Sequence, residues 1–122
     1  MRPIKFRGLS VNSEWFTGLL SHSTAKLHQP TRGYYISNYV GIPWAYQVRP
    51  ETIGQFTGLL DENGKEVYEG DIILETRHNR EIRRFAVEDI RTITRQFDHS
   101  EHDSEWKAIG NIYDNPELLE ER

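Results

Sequence analysis

The 122-residue sequence predicts a mainly β fold, a small and strongly bent antiparallel sheet or barrel with a short C-terminal helix. An SH3-like barrel is one form of such a fold. Short runs rich in β-branched and aromatic residues recur along the chain, and turns with Gly, Pro or Asn separate them. No long helical pattern stands between two of these runs, which argues against a parallel α/β sheet. A chain of this length is predicted to form a single domain, 1–122.

The first half of the chain opens with a predicted β-hairpin over residues 4–20. Its two apolar runs, IKFRGL and EWFTGLL, flank the turn-like SVNS. The polar stretch 21–33 predicts a loop, and the aromatic run 34–40 predicts a strand. Prolines bracket 42–50, which confines that segment to a sheet edge or an extended loop. Residues 53–60 predict the next strand.

The centre of the chain predicts a β-meander. Asp61-Glu62-Asn63-Gly64 is a hairpin turn, because Asn-Gly readily adopts the positive φ that tight turns require. Residues 65–68 form the short returning strand. In the next turn we expect positive φ at Gly70 and a backbone cap from Asp71. A further strand starts at Ile72.

The last third of the chain predicts strands over 81–90, 91–97 and 106–113, with an exposed polar loop before the last of them. Asn115 stands at an N-cap position and Pro116 at the first helical position. These two residues predict the short C-terminal helix.

Composition excludes several classes of protein. The chain has no Cys, so disulfides, thiolate chemistry and Cys-based zinc sites are absent. No signal peptide and no apolar run of about 20 residues is present, which predicts a soluble, cytoplasmic protein with no membrane contact. The sequence contains no phosphate-binding, dinucleotide, zinc-protease or serine-nucleophile motif. It therefore points to no enzyme and to no cofactor.

Charge is distributed unevenly along the chain, whose formal net charge is -4. Residues 1–76 carry 7 basic and 8 acidic groups, and residues 77–95 carry 6 arginines against 3 acids. Residues 96–122 carry 2 basic and 8 acidic groups. The overall balance disfavours sequence-independent phosphate binding, but a local basic strip remains in the middle segment.

Three sequence stretches together resemble the YopX-like phage and prophage proteins. They are the opening IKFRGLSVNSEWFTGLL, the central TIGQFTGLLDENGKEVYEGDIIL and the terminal IGNIYDNPELL. The resemblance covers both ends and the middle, and the central motif is specific. It implies a single-domain, β-rich protein encoded in phages and integrated elements, with no established activity and no catalytic residues to carry over. Residues 21–48 and 77–105 match no motif of that family.

The basic strip is the candidate nucleic-acid site. Its predicted contacts to phosphate are Arg80, Arg83, Arg84 and Arg91, in a segment that also holds Arg77, His78 and Arg95. Arginine suits phosphate because its guanidinium donates in a bidentate fork, and nearby Tyr34, Trp44 or Tyr46 could stack on bases. The alternative, which we favour, is that these arginines pair with Glu81, Glu88, Asp89 and the acidic tail.

The favoured function is that of a non-enzymatic accessory protein that binds a host or phage protein or another copy of itself. The candidate contact residues are Trp44, Tyr46 and Tyr113, because aromatic side chains are enriched at protein interfaces. The alternative for Tyr113 is that it docks the C-terminal tail on the sheet. Since edge strands of small β domains are often covered by self-association, we expect a homo-oligomer.

Two weaker candidate sites rest on carboxylates and imidazoles. His99 and His102, with Asp98 and Asp103 beside them, have a spacing that could hold Zn²⁺ or Ni²⁺. The favoured alternative is a solvated loop that binds no metal. Glu69 and Asp71 could be interpreted as a general acid and base, but adjacent turn residues rarely share a cleft, so Asp71 is predicted to cap the turn instead.

Overall fold

A computed structural model describes residues 4–23, 33–37, 45–89, 91–93 and 104–120. Within these ranges it contains nine strands and two short 3-10 turns. The strands are β1 (Phe6–Leu9), β2 (Trp15–Ser23), β3 (Gly33–Ser37), β4 (Ala45–Val48), β5 (Gly54–Leu60), β6 (Glu66–Tyr68), β7 (Asp71–Arg77), β8 (Arg80–Ala86) and β9 (Glu105–Asn111). The first 3-10 turn is Pro50–Thr52 and the second, called the C-terminal turn, is Pro116–Leu119. The prediction of a mainly β, antiparallel fold is confirmed.

The chain forms two compact units, Met1–Phe56 and Thr57–Arg122. In the first unit the strands are ordered β4-β3-β2-β1, all antiparallel. The start of β5 pairs with β1 on the other side. The opening hairpin is confirmed: Leu9 pairs with Trp15 beside its turn. Strand β2 runs on to Ser23, so residues 21–23 of the predicted loop belong to a strand, and β4 lies at the sheet edge as predicted.

The first sheet bends so strongly that its outer strand returns to β1. The backbone N–H of Arg49, just after β4, donates to the carbonyl of Leu9 at 2.8 Å. A Cβ atom built on Gly8 would lie 2.7 Å from the Cβ of Val48, so glycine is what allows this close approach. The bend is as predicted, but the described strands do not close into a barrel, because β4 and β1 meet only at their ends.

The second unit contains the β5–β6 hairpin and a three-stranded antiparallel sheet ordered β8-β7-β9. The Thr57 hydroxyl donates to the carbonyl of Val67 at 2.7 Å, which ties the two hairpin strands together. The core of this unit is apolar and is formed by Val67, Ile73, Val87 and Ile93, with Phe85, Trp106 and Ala108 packed against them. Ile73 is 1% exposed, so the middle of β7 is the centre of the unit.

The hairpin turn predicted at residues 61–64 is closed by the Asp61 side chain. One carboxylate oxygen accepts from the backbone N–H groups of Asn63 and Lys65, each at 2.9 Å. The other accepts from the N–H of Ala108 on β9, also at 2.9 Å. The N–H of Glu62 donates to the carbonyl of Trp106 at 3.1 Å. One carboxylate therefore shapes the turn and joins it to the edge of the three-stranded sheet.

Two further polar side chains shape the remaining turns of this unit. Asp71, buried at the start of β7, accepts from the N–H of Tyr68 at 2.8 Å, and Gly70 has a φ of 94°. Both features confirm the predicted turn. The Asn111 side-chain oxygen accepts from the N–H groups of Tyr113 and Asp114 at 3.0 and 2.9 Å. The central motif is thus structural.

Near the end of the chain one sequence prediction is wrong, and another is confirmed only as a shorter element. Residues 91–93 form a helical turn instead of extending the sheet, because Asp89 accepts from the N–H groups of Arg91 and Thr92 and so caps a helix start. The C-terminal helix is a single 3-10 turn. Asn115 stands at its N-cap as predicted, but its side chain accepts from the N–H of Asn111 instead of capping the turn.

Candidate functional site

The candidate basic strip lies on β8 and the residues after it, and its arginines have partners of their own. Arg83 faces Glu75 across the β7–β8 ladder, and its Nε donates to the Glu75 carboxylate. Glu75 is 1% exposed, so this is a buried carboxylate with its counter-ion. The Arg83 guanidinium also lies 5.6 Å from the ring centre of Phe85. Arg83 is therefore a half-buried side chain whose charge neutralises a buried carboxylate of the second unit.

Arg84 and Arg91 also form hydrogen bonds and ion pairs within the second unit. Arg84 donates to the Glu81 carboxylate at 3.0 Å and to the carbonyl of Leu118 at 3.1 Å, which holds the C-terminal turn. Arg91 donates to the Asp89 carboxylate at 3.0 Å. This hydrogen bond, with two backbone bonds, lowers the pKa of the exposed Asp89 carboxyl. The pairings with Glu81 and Asp89 are those that the alternative interpretation expected.

The remaining arginine of the predicted set, Arg80, is exposed beside the β7–β8 turn. It stands directly opposite Arg77 in the ladder. His78 and Asn79 form the turn between them, both with positive φ, 54° and 64°. Arg95 lies outside the described residues. Three of the four predicted arginines thus donate to groups within the chain, and phosphate binding by this set stays a prediction.

The aromatic candidate Tyr46 lies on β4, the outer strand of the first unit. Its ring stacks on that of Phe16 with centroids 4.0 Å apart and planes 4° apart, yet Tyr46 stays 37% exposed. It is the cross-strand partner of Ile36, which is fully buried on the same face of the sheet. Trp44, the other predicted contact on this segment, lies outside the described residues.

A second aromatic pair lies on the same strands. His22 on β2 and Tyr34 on β3 are cross-strand partners, and their rings stack at 4.4 Å. Sequence reasoning named Tyr34 and Tyr46 but missed Phe16 and His22, the rings on which they rest. The His22–Tyr34 pair could have been found from the register of the two strands, whereas Phe16 and Tyr46 meet only because the sheet bends.

Tyr113 lies in the turn after β9 and is half-buried. Its backbone N–H donates to Asn111, so this residue belongs to the turn that precedes the C-terminal turn. This position agrees with the alternative that Tyr113 helps to dock the tail. Its part in binding a partner stays a prediction.

The metal and carboxylate candidates take no part in a site that the structure describes. The loop with Asp98, His99, His102 and Asp103 lies outside the described residues. In the described ranges no group of three or more His, Asp or Glu side chains is placed to hold a metal ion. Asp71 is buried as a turn cap, as predicted. No helix among the residues described is long and apolar enough to cross a membrane.

Comparison with known proteins agrees with the resemblance seen in the motifs. The family model described as YopX protein matches residues 5–120, nearly the whole chain and both compact units. No curated protein sequence and no solved structure matches this chain.

Proposed function

Because the chain belongs to the YopX family, we propose that it is a non-enzymatic accessory protein of a phage or prophage that acts by binding a protein partner. The partner is a host or phage protein or another copy of the chain, which would make a homo-oligomer. The proposed compartment is the cytoplasm. Family membership itself specifies no activity, so the proposal rests on the surface of the first unit.

The observation that carries the proposal is the position of Tyr46. The side chain is exposed on an edge strand, yet stacking on Phe16 holds its ring in one orientation. An aromatic side chain that is ordered before binding loses little conformational entropy when a partner covers it. Tyrosine also offers both an apolar ring and a hydroxyl, which is why it is common among residues that dominate binding energy.

Nucleic-acid binding through the basic strip is the weaker alternative. A phosphate contact there would compete with Glu75 for Arg83 and with Glu81 and the Leu118 carbonyl for Arg84. Breaking a buried ion pair by removing one partner costs about 3–5 kcal/mol, which a single phosphate contact does not offset.

The test is capture of partners from the bacterial host by the tagged full chain, with and without nuclease. We expect a nuclease-resistant protein partner that Tyr46→Ala loses. Leu19→Ala is the matched control, since Leu19 is an exposed side chain on β2 of the same unit, 49% accessible. It should retain the partner. Retained material that disappears with nuclease, and that Tyr46→Ala leaves unchanged, would overturn the proposal.

A further inference from the structure

The three-stranded sheet of the second unit has two faces, and the apolar core lies on one of them. Ile73 on β7 belongs to that core. Ile72 precedes it on the same strand, so its side chain points to the opposite face, here called the outer face. Ile72 is nevertheless fully buried. The outer face is therefore covered as well.

The register shows which residues share the outer face with Ile72. Its cross-strand partners are Gly110 on β9 and Ala86 on β8. Leu74 stands two residues further along β7 and so lies on the same face, where Arg84 is its partner on β8. The outer face thus presents an apolar strip, Ile72 and Leu74, between a glycine on one side and an arginine on the other.

The C-terminal turn lies across this strip. The Arg84 Nη1 donates to the Leu118 carbonyl at 3.1 Å. The Leu118 side chain lies over Gly110, where an added Cβ atom would be 3.0 Å from the leucine Cδ1. Because Gly110 and Arg84 stand on opposite sides of β7, a residue that contacts both lies over the strip between them.

Few contacts hold this turn on the sheet. None of residues 116–119 is buried, and the Leu119 side chain is exposed. The Arg84 guanidinium is shared with the Glu81 carboxylate, and its Nε is buried with no hydrogen-bond partner in the part of the chain that the structure describes. A buried donor without an acceptor is unfavourable, whereas water would satisfy it once the turn moved away. The closed position of the turn is therefore only weakly favoured.

We propose that the C-terminal turn acts as a latch, which opens while the sheet stays folded and so uncovers the strip formed by Ile72 and Leu74. Segments with few buried contacts open locally at a lower free energy than the whole unit. Exposed apolar strips are typical of protein interaction sites. The latch thus hides an apolar surface of the second unit until the turn is released. This inference is independent of the proposed function, which rests on the first unit.

Thiol labelling of the full chain tests the latch, because the chain has no Cys and one can be placed at a chosen position. Ile72→Cys puts a thiol under the turn. Ile73→Cys is the matched control, since these neighbouring side chains are 0% and 1% exposed but lie on opposite faces. In native buffer we expect a maleimide dye to label Ile72→Cys about 100-fold faster than Ile73→Cys, because the turn opens more often than the unit unfolds. Circular dichroism melts establish that each variant is folded.

Arg84→Met in each Cys variant removes the hydrogen bond to the turn and keeps an unbranched apolar side chain. We expect it to raise labelling of Ile72→Cys about tenfold and to leave that of Ile73→Cys within about twofold. The control is Arg91→Met, which removes an exposed ion pair of the same unit and should change neither rate.

Gly110→Ala tests the latch from the other side of β7. Its Cβ atom would lie 2.5 Å from the Asn115 Oδ1 and 3.0 Å from the Leu118 Cδ1, which should displace the turn and raise labelling of Ile72→Cys alone. Equal labelling of the two thiols in the parent chain would overturn the proposal. So would a rise of both rates together in Arg84→Met or Gly110→Ala, because the turn would then move only when the whole unit unfolds. An Ile72→Cys thiol that neither substitution affects would show that the turn does not cover the strip, and would overturn it too.

Discussion

The two units of the chain are stabilised by different kinds of contact. In the second unit, side-chain oxygens of Asp61, Asp71 and Asn111 close the turns, and Arg83 neutralises a buried carboxylate. In the first unit, a close approach at Gly8 and stacked aromatic rings shape the sheet. The turns of the most recognisable sequence motif are therefore structural, whereas an exposed, stacked aromatic side chain of the kind common at interfaces lies in the first unit.

The charged and aromatic residues follow the same division. Nine of the chain's Phe, Trp and Tyr residues lie in the basic first unit, and five lie in the acidic second unit. In the second unit, Arg83, Arg84 and Arg91 each pair with a carboxylate of the same unit. Four substitutions test this difference between the two units.

Gly8→Ala is expected to have the largest effect. The added Cβ would lie 2.7 to 2.9 Å from three atoms of the Val48 side chain, which is 2% exposed and has nowhere to move. Overpacking of this kind costs about 3 kcal/mol of the free energy of unfolding. Urea denaturation measures it, and in a Val48→Ala background the penalty should fall by at least half. An unchanged midpoint in Gly8→Ala would show that the sheet is less bent than described.

Arg83→Met should destabilise the second unit by about 3 kcal/mol, because the buried Glu75 carboxylate would lose the Arg83 guanidinium. The control is Arg91→Met, which removes an exposed pair and should change stability by less than about 0.5 kcal/mol. Arg83→Glu would be worse still, so a loss of nucleic-acid binding in that variant reports unfolding. Equal, small effects of the two Met substitutions would show that the Arg83–Glu75 pair does not stabilise the second unit.

Asp61→Asn should cost about 2 kcal/mol, since an amide cannot accept on both sides of the turn. Burial acts to raise the pKa of Asp61, but the backbone amides that it accepts from, Ala108 foremost, outweigh burial and lower it. With a folded pKa below 3.8, its stabilisation is present above that pH and is lost as the pH falls further. Unfolding measured across this acidic range should show wild type and variant converging, and a constant difference would contradict the assignment.

Tyr46→Ala has the smallest expected effect on stability. The ring is partly exposed, and its stacking on Phe16 is worth about 1 kcal/mol. A melting temperature close to that of wild type, combined with loss of the partner, would separate binding from folding. A loss of several kcal/mol would instead make Tyr46 a structural residue of the first sheet.

Much of the fold could be predicted because its signals are local. Alternating apolar and polar runs predicted most of the strands. Asn63-Gly64, Gly70 and Asp71 predicted two of the turns. The helical turn at 91–93 was missed because a strand-like alternation there competes with the cap from Asp89. The C-terminal 3-10 turn was predicted as a helix because Asn at the N-cap and Pro at the first position can begin either element. Asn115 and Pro116 occupy these positions here.

The candidate site was less predictable because its contacts join distant strands. That Arg83 meets Glu75 depends on the β7–β8 register, including an irregularity between Glu75 and Thr76. Similarly, Phe16 meets Tyr46 because the sheet bends, and no local pattern encodes that distance. The candidate arginines and tyrosines can be named from the sequence. Which of them form ion pairs or ring contacts within the chain depends on the tertiary structure.

We propose that the edge of the first unit, and not the basic strip of the second, contacts the partner. The most direct measurement is photocrosslinking in the host from p-benzoylphenylalanine placed at position 46, compared with position 91, an exposed site on the strip. We expect a nuclease-resistant protein adduct from position 46 and none from position 91. Nucleic-acid adducts from position 91, with none of either kind from position 46, would contradict it.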